Sequence, residues 1–305
     1  GISRYSSVDF KTYACERDIA YGIGFFVFFF YSQGSPMPFI QVNDRQMHYI
    51  DRGEGFALLL GHSYMFDSNM WAPQIEALSQ HFRVIAPDLW GHGKSDPLPE
   101  SRRSLKDLAS DHLALMDALD INEFAVVGLS VGGMWGVELA AMVPDRVRAL
   151  VLMDTFVGLE PEVTFKKYDA MLNAIDAAGK VPAVLVEQIA PMFFRREPEP
   201  HLLEALAEHL SNLSESVLRQ SIVPLGRMIF GRGDSCPLLE ELKMPALVIT
   251  GEQDAPRPPL EGYLMAEMLN CKQLVVPQAG HICTLEQPEW VNEALLNFLM
   301  SIVRR

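Results

Sequence analysis

The 305-residue chain has little of what marks several large protein classes. It holds four cysteines, Cys15, Cys236, Cys271 and Cys283, with no C-x-x-C pair and no ligand spacing. That argues against a disulfide framework or a structural metal, and fits reduced thiols in a cytoplasmic protein. Basic residues are scarce: 25 Lys and Arg stand against 39 Asp and Glu, a formal net charge of −14. Such a surface repels nucleic-acid phosphates and anionic membranes, and no basic cluster offsets it. The apolar run Gly22–Tyr31 is too short for a membrane-spanning helix, which needs about 20 residues. No nucleic-acid partner, membrane span, cofactor or metal is expected.

What is present is apolar and periodic. Hydrophobic residues make up 49% of the chain, enough for a large core in one enzyme-sized domain. Short β-like runs are expected at Phe39–Val42, Met47–Asp51, Ala57–Leu60, Arg83–Ala86, Phe124–Leu129, Ala149–Met153, Ala246–Thr250 and Gln273–Val276. The later ones are continuous and apolar, as in strands buried on both faces of a parallel sheet. Helical patterns intervene at Met70–Gln80, Leu105–Leu119, Val131–Met142, Leu260–Met268 and Pro288–Ile302. This alternation predicts an α/β fold: a doubly wound, mostly parallel, eight-stranded sheet flanked by helices, with ligands outside the strands' carboxyl ends.

The motif carrying most chemistry is Gly128-Leu129-Ser130-Val131-Gly132, set between the apolar run Phe124–Val127 and a helical stretch. A serine at the apex of a strand–turn–helix is forced into a strained backbone and lifted clear of the sheet. The glycines are needed where side chains would collide with the adjoining strand and helix. A serine hydroxyl is a poor nucleophile at neutral pH, so it needs a histidine to take its proton and a carboxylate to orient that histidine. Both follow downstream. Asp254 comes after Ala246–Thr250, and His281 comes after Gln273–Val276. Asp154, ending the strand Ala149–Met153, is a rival acid whose loop opens to the same side.

With the order Ser130, Asp254, His281, each in a loop after a strand, the chain from Met37 to Arg305 resembles the α/β-hydrolase superfamily. Within it, Gly128–Gly133, Pro144–Val147 and Leu150–Thr155 look like the stretch shared by small serine esterases and enol-lactonases. The resemblance implies a catalytic triad of these three residues. It also makes His62-Ser63-Tyr64 the counterpart of the family's His-Gly-X oxyanion loop, with serine replacing the glycine. Tyr64 and Val131 would then supply the two backbone N–H donors of the oxyanion hole. Ala86–Asp96 matches a recurrent family loop, and His92 within it is read as part of a tight turn. Serine at the nucleophile position argues against dehalogenases and epoxide hydrolases, which carry aspartate there. His62–Met65 does not resemble the glycine-rich loop of carbon–carbon bond hydrolases.

Strand and helix stop alternating between Phe156 and Lys243, where only helical patterns occur: Val163–Ala178, Val181–Phe193, His201–Leu213 and Glu215–Phe230. Residues 156–243 are therefore expected to form a helical cap inserted after the sixth strand, between core segments 37–155 and 244–305. His62, Met192, Phe193 and Met228 are candidate lining residues of an apolar substrate pocket. No arginine can be placed at the site, so a charged acid substrate is not implied. Cys283, two residues beyond His281, is close enough to the site to matter for thiol reagents. Residues 1–36 stand outside the pattern and are read as an atypical leader, with an oligomer arm or a targeting segment as alternatives.

Three functions are compatible with these residues. The first is a carboxylesterase acting on small or medium-sized hydrophobic esters through an acyl-enzyme. The second is a lactonase, and the third a small-molecule receptor that keeps the triad without turnover.

Overall fold

The computed structural model describes residues 38–304; the expectations for residues 1–36 lie outside them. The sheet opens with β1 (Phe39–Val42), β2 (Arg45–Arg52) and β3 (Ala57–Gly61). A 3₁₀ turn (Ser68–Trp71) and α1 (Ala72–Leu78) lead to β4 (Arg83–Pro87), α2 (Leu105–Ala118), β5 (Phe124–Leu129), α3 (Val131–Met142) and β6 (Val147–Met153). An all-helical stretch follows: α4 (Glu162–Ala178), α5 (Ala183–Ile189), α6 (Pro200–Asn212), α7 (Glu215–Val217), α8 (Val223–Phe230) and α9 (Cys236–Glu241). The chain closes with β7 (Ala246–Gly251), α10 (Pro259–Leu269), β8 (Lys272–Val276), α11 (Cys283–Glu286) and α12 (Pro288–Val303).

The eight strands form one sheet in the order β1-β2-β4-β3-β5-β6-β7-β8. β1 and β2 pair antiparallel, as do β2 and β4; every later pairing is parallel. β3 and β5 are completely buried, and β6 nearly so, which accounts for their unbroken apolar sequences. The strand order reverses about β3, whose neighbours are β4 and β5. Loops leaving β3 and β5 therefore diverge and leave a crevice at the strands' carboxyl ends.

Most strand and helix limits agree with the periodicity to within two residues. Departures come where proline interrupts a helical pattern. Val181–Phe193 divides into α5 and a 3₁₀ turn, Ala190–Phe193, that contains Pro191. Glu215–Phe230 divides into α7, a π turn at Leu218–Ile222, and α8. Pro224 has no N–H and its ring crowds the carbonyl one turn back, so the hydrogen-bond ladder widens there instead of continuing. The short helix α9 carries too few periodic positions to be read from sequence.

One core contact carries a pH dependence. The buried His112 ring on α2 stacks on Trp135 of α3 at 3.7 Å and 14°, and its Nδ1–H donates to the Leu108 carbonyl. Burial lowers its pKa to about 4. The unfolded chain takes up this proton near pH 6.5 and the folded protein does not until about pH 4. Stability is therefore lost as pH falls through that window. Between pH 7 and 4.5 the loss from this group is about 2 kcal/mol. Denaturant unfolding of His112→Phe should show a shallower acid decline by that amount; parallel profiles for wild type and variant would refute the assignment.

Candidate active site

Ser130 stands between β5 and α3 with φ 57° and ψ −119°, a conformation that β-branched or bulky residues resist. Two close backbone approaches and two hydrogen bonds make this turn possible. A Cβ on Gly128 would lie 2.2 Å from the Gly132 carbonyl oxygen, and one on Gly132 would lie 2.2 Å from that of Gly61. Ser130 N–H donates to Met153 O at 2.9 Å, and the Thr155 hydroxyl donates to Ser130 O at 2.6 Å. The strain is thus held by β6 on one side and by close helix–strand packing on the other.

His281, in the loop after β8, lines the same cavity as Ser130. Its Nδ1 lies 3.1 and 3.0 Å from the two carboxylate oxygens of Asp254, in the loop after β7. With a carboxylate as acceptor, Nδ1 carries the proton and Nε2 is left as the basic nitrogen. Asp254 is itself oriented by the Arg257 N–H, which donates to Oδ1 at 3.0 Å. Serine, histidine and this aspartate are all buried, at 8%, 3% and 3% exposure, so their contacts are little screened by water.

Asp154 does not meet His281. Its Oδ1 accepts from Gly251 N–H at 2.7 Å and its Oδ2 from the Cys283 thiol at 2.9 Å. Burial, reinforced by the adjacent Asp254, raises its pKa well above the usual carboxylate range. Cys283 is fully buried, and burial together with Asp154 raises its pKa well above the ordinary thiol value. The expectation that Cys283 matters for thiol reagents is corrected: the thiolate is the reactive form, and this site suppresses it.

The loop after β3 is braced by two histidines. His62 Nδ1 is bonded to Ser63 O, and its Nε2 accepts from Leu89 N–H, each at 2.8 Å. His92 Nδ1 is bonded to Trp90 O at 2.9 Å, and its Nε2 accepts from Met65 N–H at 3.1 Å. Burial, then the nearby His62, lowers the His92 pKa to about 3, so it stays neutral in its turn. The Tyr64 N–H has no acceptor among the described residues. Val131, as the first residue of α3, has no intrahelical acceptor for its own N–H. The Tyr64 hydroxyl donates to Ile222 O in the π turn, tying this loop to the helical stretch.

The cavity is walled mainly by that stretch. Met192 and Phe193 line it, and the Phe193 ring meets His281 edge-on at 5.7 Å. Two pocket expectations are corrected. His62 is absent from the lining because both its ring nitrogens are engaged in the loop. Met228 lines a separate cleft near Pro97 and Leu98, while its successors Ile229 and Phe230 face the cavity. Each helical step turns about 100°, so adjacent residues on α8 face different ways.

Other lining residues were not singled out from sequence. Tyr168, Leu172 and Ile175 form an i, i+4, i+7 stripe on α4, a pattern visible in sequence but common to any buried helix. Arg257, three residues after Asp254, also lines the cavity. Its sequence neighbours, Pro256 and Pro258, mark a turn and say nothing of where the side chain goes. Among the described residues, no group of three His, Cys, Asp or Glu is placed to hold a metal ion. No helix among them is long and apolar enough to cross a membrane.

Residues 57–288 match the family described as the alpha/beta hydrolase fold, and the chain belongs to that family. Over 246 residues it is 26% identical to 3-oxoadipate enol-lactonase 1 of Acinetobacter baylyi, covering 81% of this chain and 89% of that protein. A thermophilic esterase from Thermogutta terrifontis superposes with a TM-score of 0.76 at 27% identity, covering 87% of this chain and 97% of the other. The enol-lactonase of Burkholderia xenovorans LB400 also superposes at 0.76, with 28% identity and coverage of 86% and 100%.

Proposed function

We propose that the protein is a serine hydrolase that cleaves carboxylic esters of small or medium-sized, largely apolar substrates through an acyl-enzyme. The observation carrying this reading is the strained Ser130 in one cavity with His281, whose far nitrogen is bonded to Asp254. Ser130 Oγ attacks the ester carbonyl as His281 Nε2 takes its proton. The Tyr64 and Val131 N–H groups hold the oxyanion, charge that appears only as the tetrahedral intermediate forms. His281 then protonates the departing alkoxide. Water, deprotonated by the same nitrogen, releases the acid and restores Ser130. Asp254 keeps the imidazole in the required tautomer and stabilises its charged form.

Residues 156–243 act as the cap in this reading, because they roof the cavity with Met, Ile, Leu and Phe side chains. The similarity to enol-lactonases favours lactones as a second substrate class; the chemistry is the same except that the leaving alkoxide stays tethered to the acyl group. Profiling with 4-nitrophenyl esters of graded length beside a lactone panel tests both, and failure to turn over either class would refute the proposal.

The cap also predicts a chain-length optimum. Each methylene buried against the cavity wall contributes about 0.8 kcal/mol, roughly fourfold in kcat/KM, until the wall is reached. Turnover of linear esters should peak at short acyl chains and fall for long ones, with no jump at an oil–water interface. Faster hydrolysis of long-chain triglyceride emulsions than of dissolved short esters would instead indicate a lipase.

A further inference from the structure

Arg257 is the one permanently charged residue among those lining the cavity, whose other walls are chiefly Met, Leu, Ile and aromatic side chains. Its side chain is 5% exposed, and its donors are unevenly satisfied. Nη2 donates to Glu160 Oε1, and Nε donates to the Pro256 carbonyl and faces Glu261 Oε1 at 3.4 Å. Nη1 is buried with no hydrogen-bond partner among the described residues. A buried guanidinium donor left in that state is costly, because it has given up water without gaining an acceptor.

The surrounding side chains do not supply the missing acceptor. Glu160 is shared, since Arg232 Nη1 also donates to its Oε2 at 3.0 Å. Arg232 Nε and Nη2 are likewise buried without partners. Glu261 compensates only in part: burial outweighs the attraction of Arg257 and raises its pKa to about 7, so near neutrality much of it is uncharged. Two guanidinium groups thus share one firmly bonded carboxylate, Asp254 is taken up by His281, and Arg257, at the wall of an apolar cavity, keeps a donor with no acceptor. Tyr168 lines the same cavity as Arg257.

We propose that Arg257 forms a carboxylate subsite, so that the substrates of this cavity are esters or lactones carrying a second, anionic carboxylate away from the scissile carbonyl. This rests on the hydrolase reading for its reaction but not for its binding. A planar guanidinium matches a carboxylate through directed N–H bonds, and in a low-dielectric site a donor left without an acceptor is costly. An apolar tether between the two ends would lie along the methionine- and isoleucine-rich wall.

The test compares charged substrates with uncharged counterparts of matched length: monoethyl esters of C4 to C7 dicarboxylic acids against ethyl alkanoates, and 4-butanoyloxybutanoate against pentyl butanoate. These place the charge on the acyl or the alcohol side. At the best length, kcat/KM for the charged ester should exceed that of its counterpart at least tenfold. That ratio should fall at least tenfold in Arg257→Met and be partly retained in Arg257→Lys; taking the ratio within each variant removes general damage. Binding is read separately by calorimetry with inert ketones, 6-oxoheptanoate against 2-heptanone, with the same tenfold preference expected in wild type. Neutral esters hydrolysed with no charged preference in either assay would overturn the subsite and leave the hydrolase standing. No hydrolysis, but an Arg257-dependent preference for 6-oxoheptanoate, would overturn the hydrolase and leave the subsite.

Discussion

Ser130→Ala is expected to lower ester turnover by roughly four to six orders of magnitude, because only the oxyanion donors and substrate binding would remain. The fold should survive. Alanine is smaller than serine, and the backbone contacts that hold the turn, to Met153 and from Thr155, use main-chain atoms of residue 130. A fluorophosphonate should label native protein at Ser130 and leave the variant unlabelled, with unchanged circular dichroism in both. Comparable labelling of the variant would mean that another serine is the nucleophile.

The second large effect concerns the two carboxylates near the site. Asp254→Asn should reduce kcat by about 10⁴-fold, since an amide can present its NH₂ to His281 Nδ1 and favour the wrong tautomer. Asp154→Asn should cost less than about tenfold. Asp154 bonds Gly251 and Cys283 rather than His281, and burial beside Asp254 keeps its carboxyl from ionising in the ordinary range. A group held neutral contributes little to stabilising an imidazolium. If Asp154→Asn proves the more damaging substitution in kcat, the roles assigned to the two acids exchange.

Much of this site is legible because its chemistry imposes local sequence. Ser130 requires glycine at 128 and 132, where any side chain would strike backbone, so the turn declares itself in five residues. Asp254 and His281 follow strands whose apolar runs are equally plain. The pocket is less legible. Met192 and Phe193 were readable as apolar residues near the end of a helical pattern, and they do line the cavity. Met228 looked equivalent and is not, because one residue of helical phase turns it to another cleft. His62 occupies a motif position yet serves the loop's own hydrogen bonds.

Sequence alone therefore determined the parallel α/β sheet, the strained serine turn, the helical stretch after the sixth strand, and a short set of candidates for acid and base. Those follow from local rules: hydrophobic period, turn sterics, and loops that begin where strands end. Only the tertiary structure decided which carboxylate His281 bonds, which helix faces wall the cavity, and that Arg257 reaches it. Asp154 and Asp254 both follow strand ends on the same side of the sheet; the partners of Asp154 lie 97 and 129 residues away in sequence, and His281 lies 27 residues from Asp254. Arg257 is buried, pairs with Glu160 and lines the cavity that the helical stretch walls. Such partners are set by long-range contacts, which no local pattern encodes.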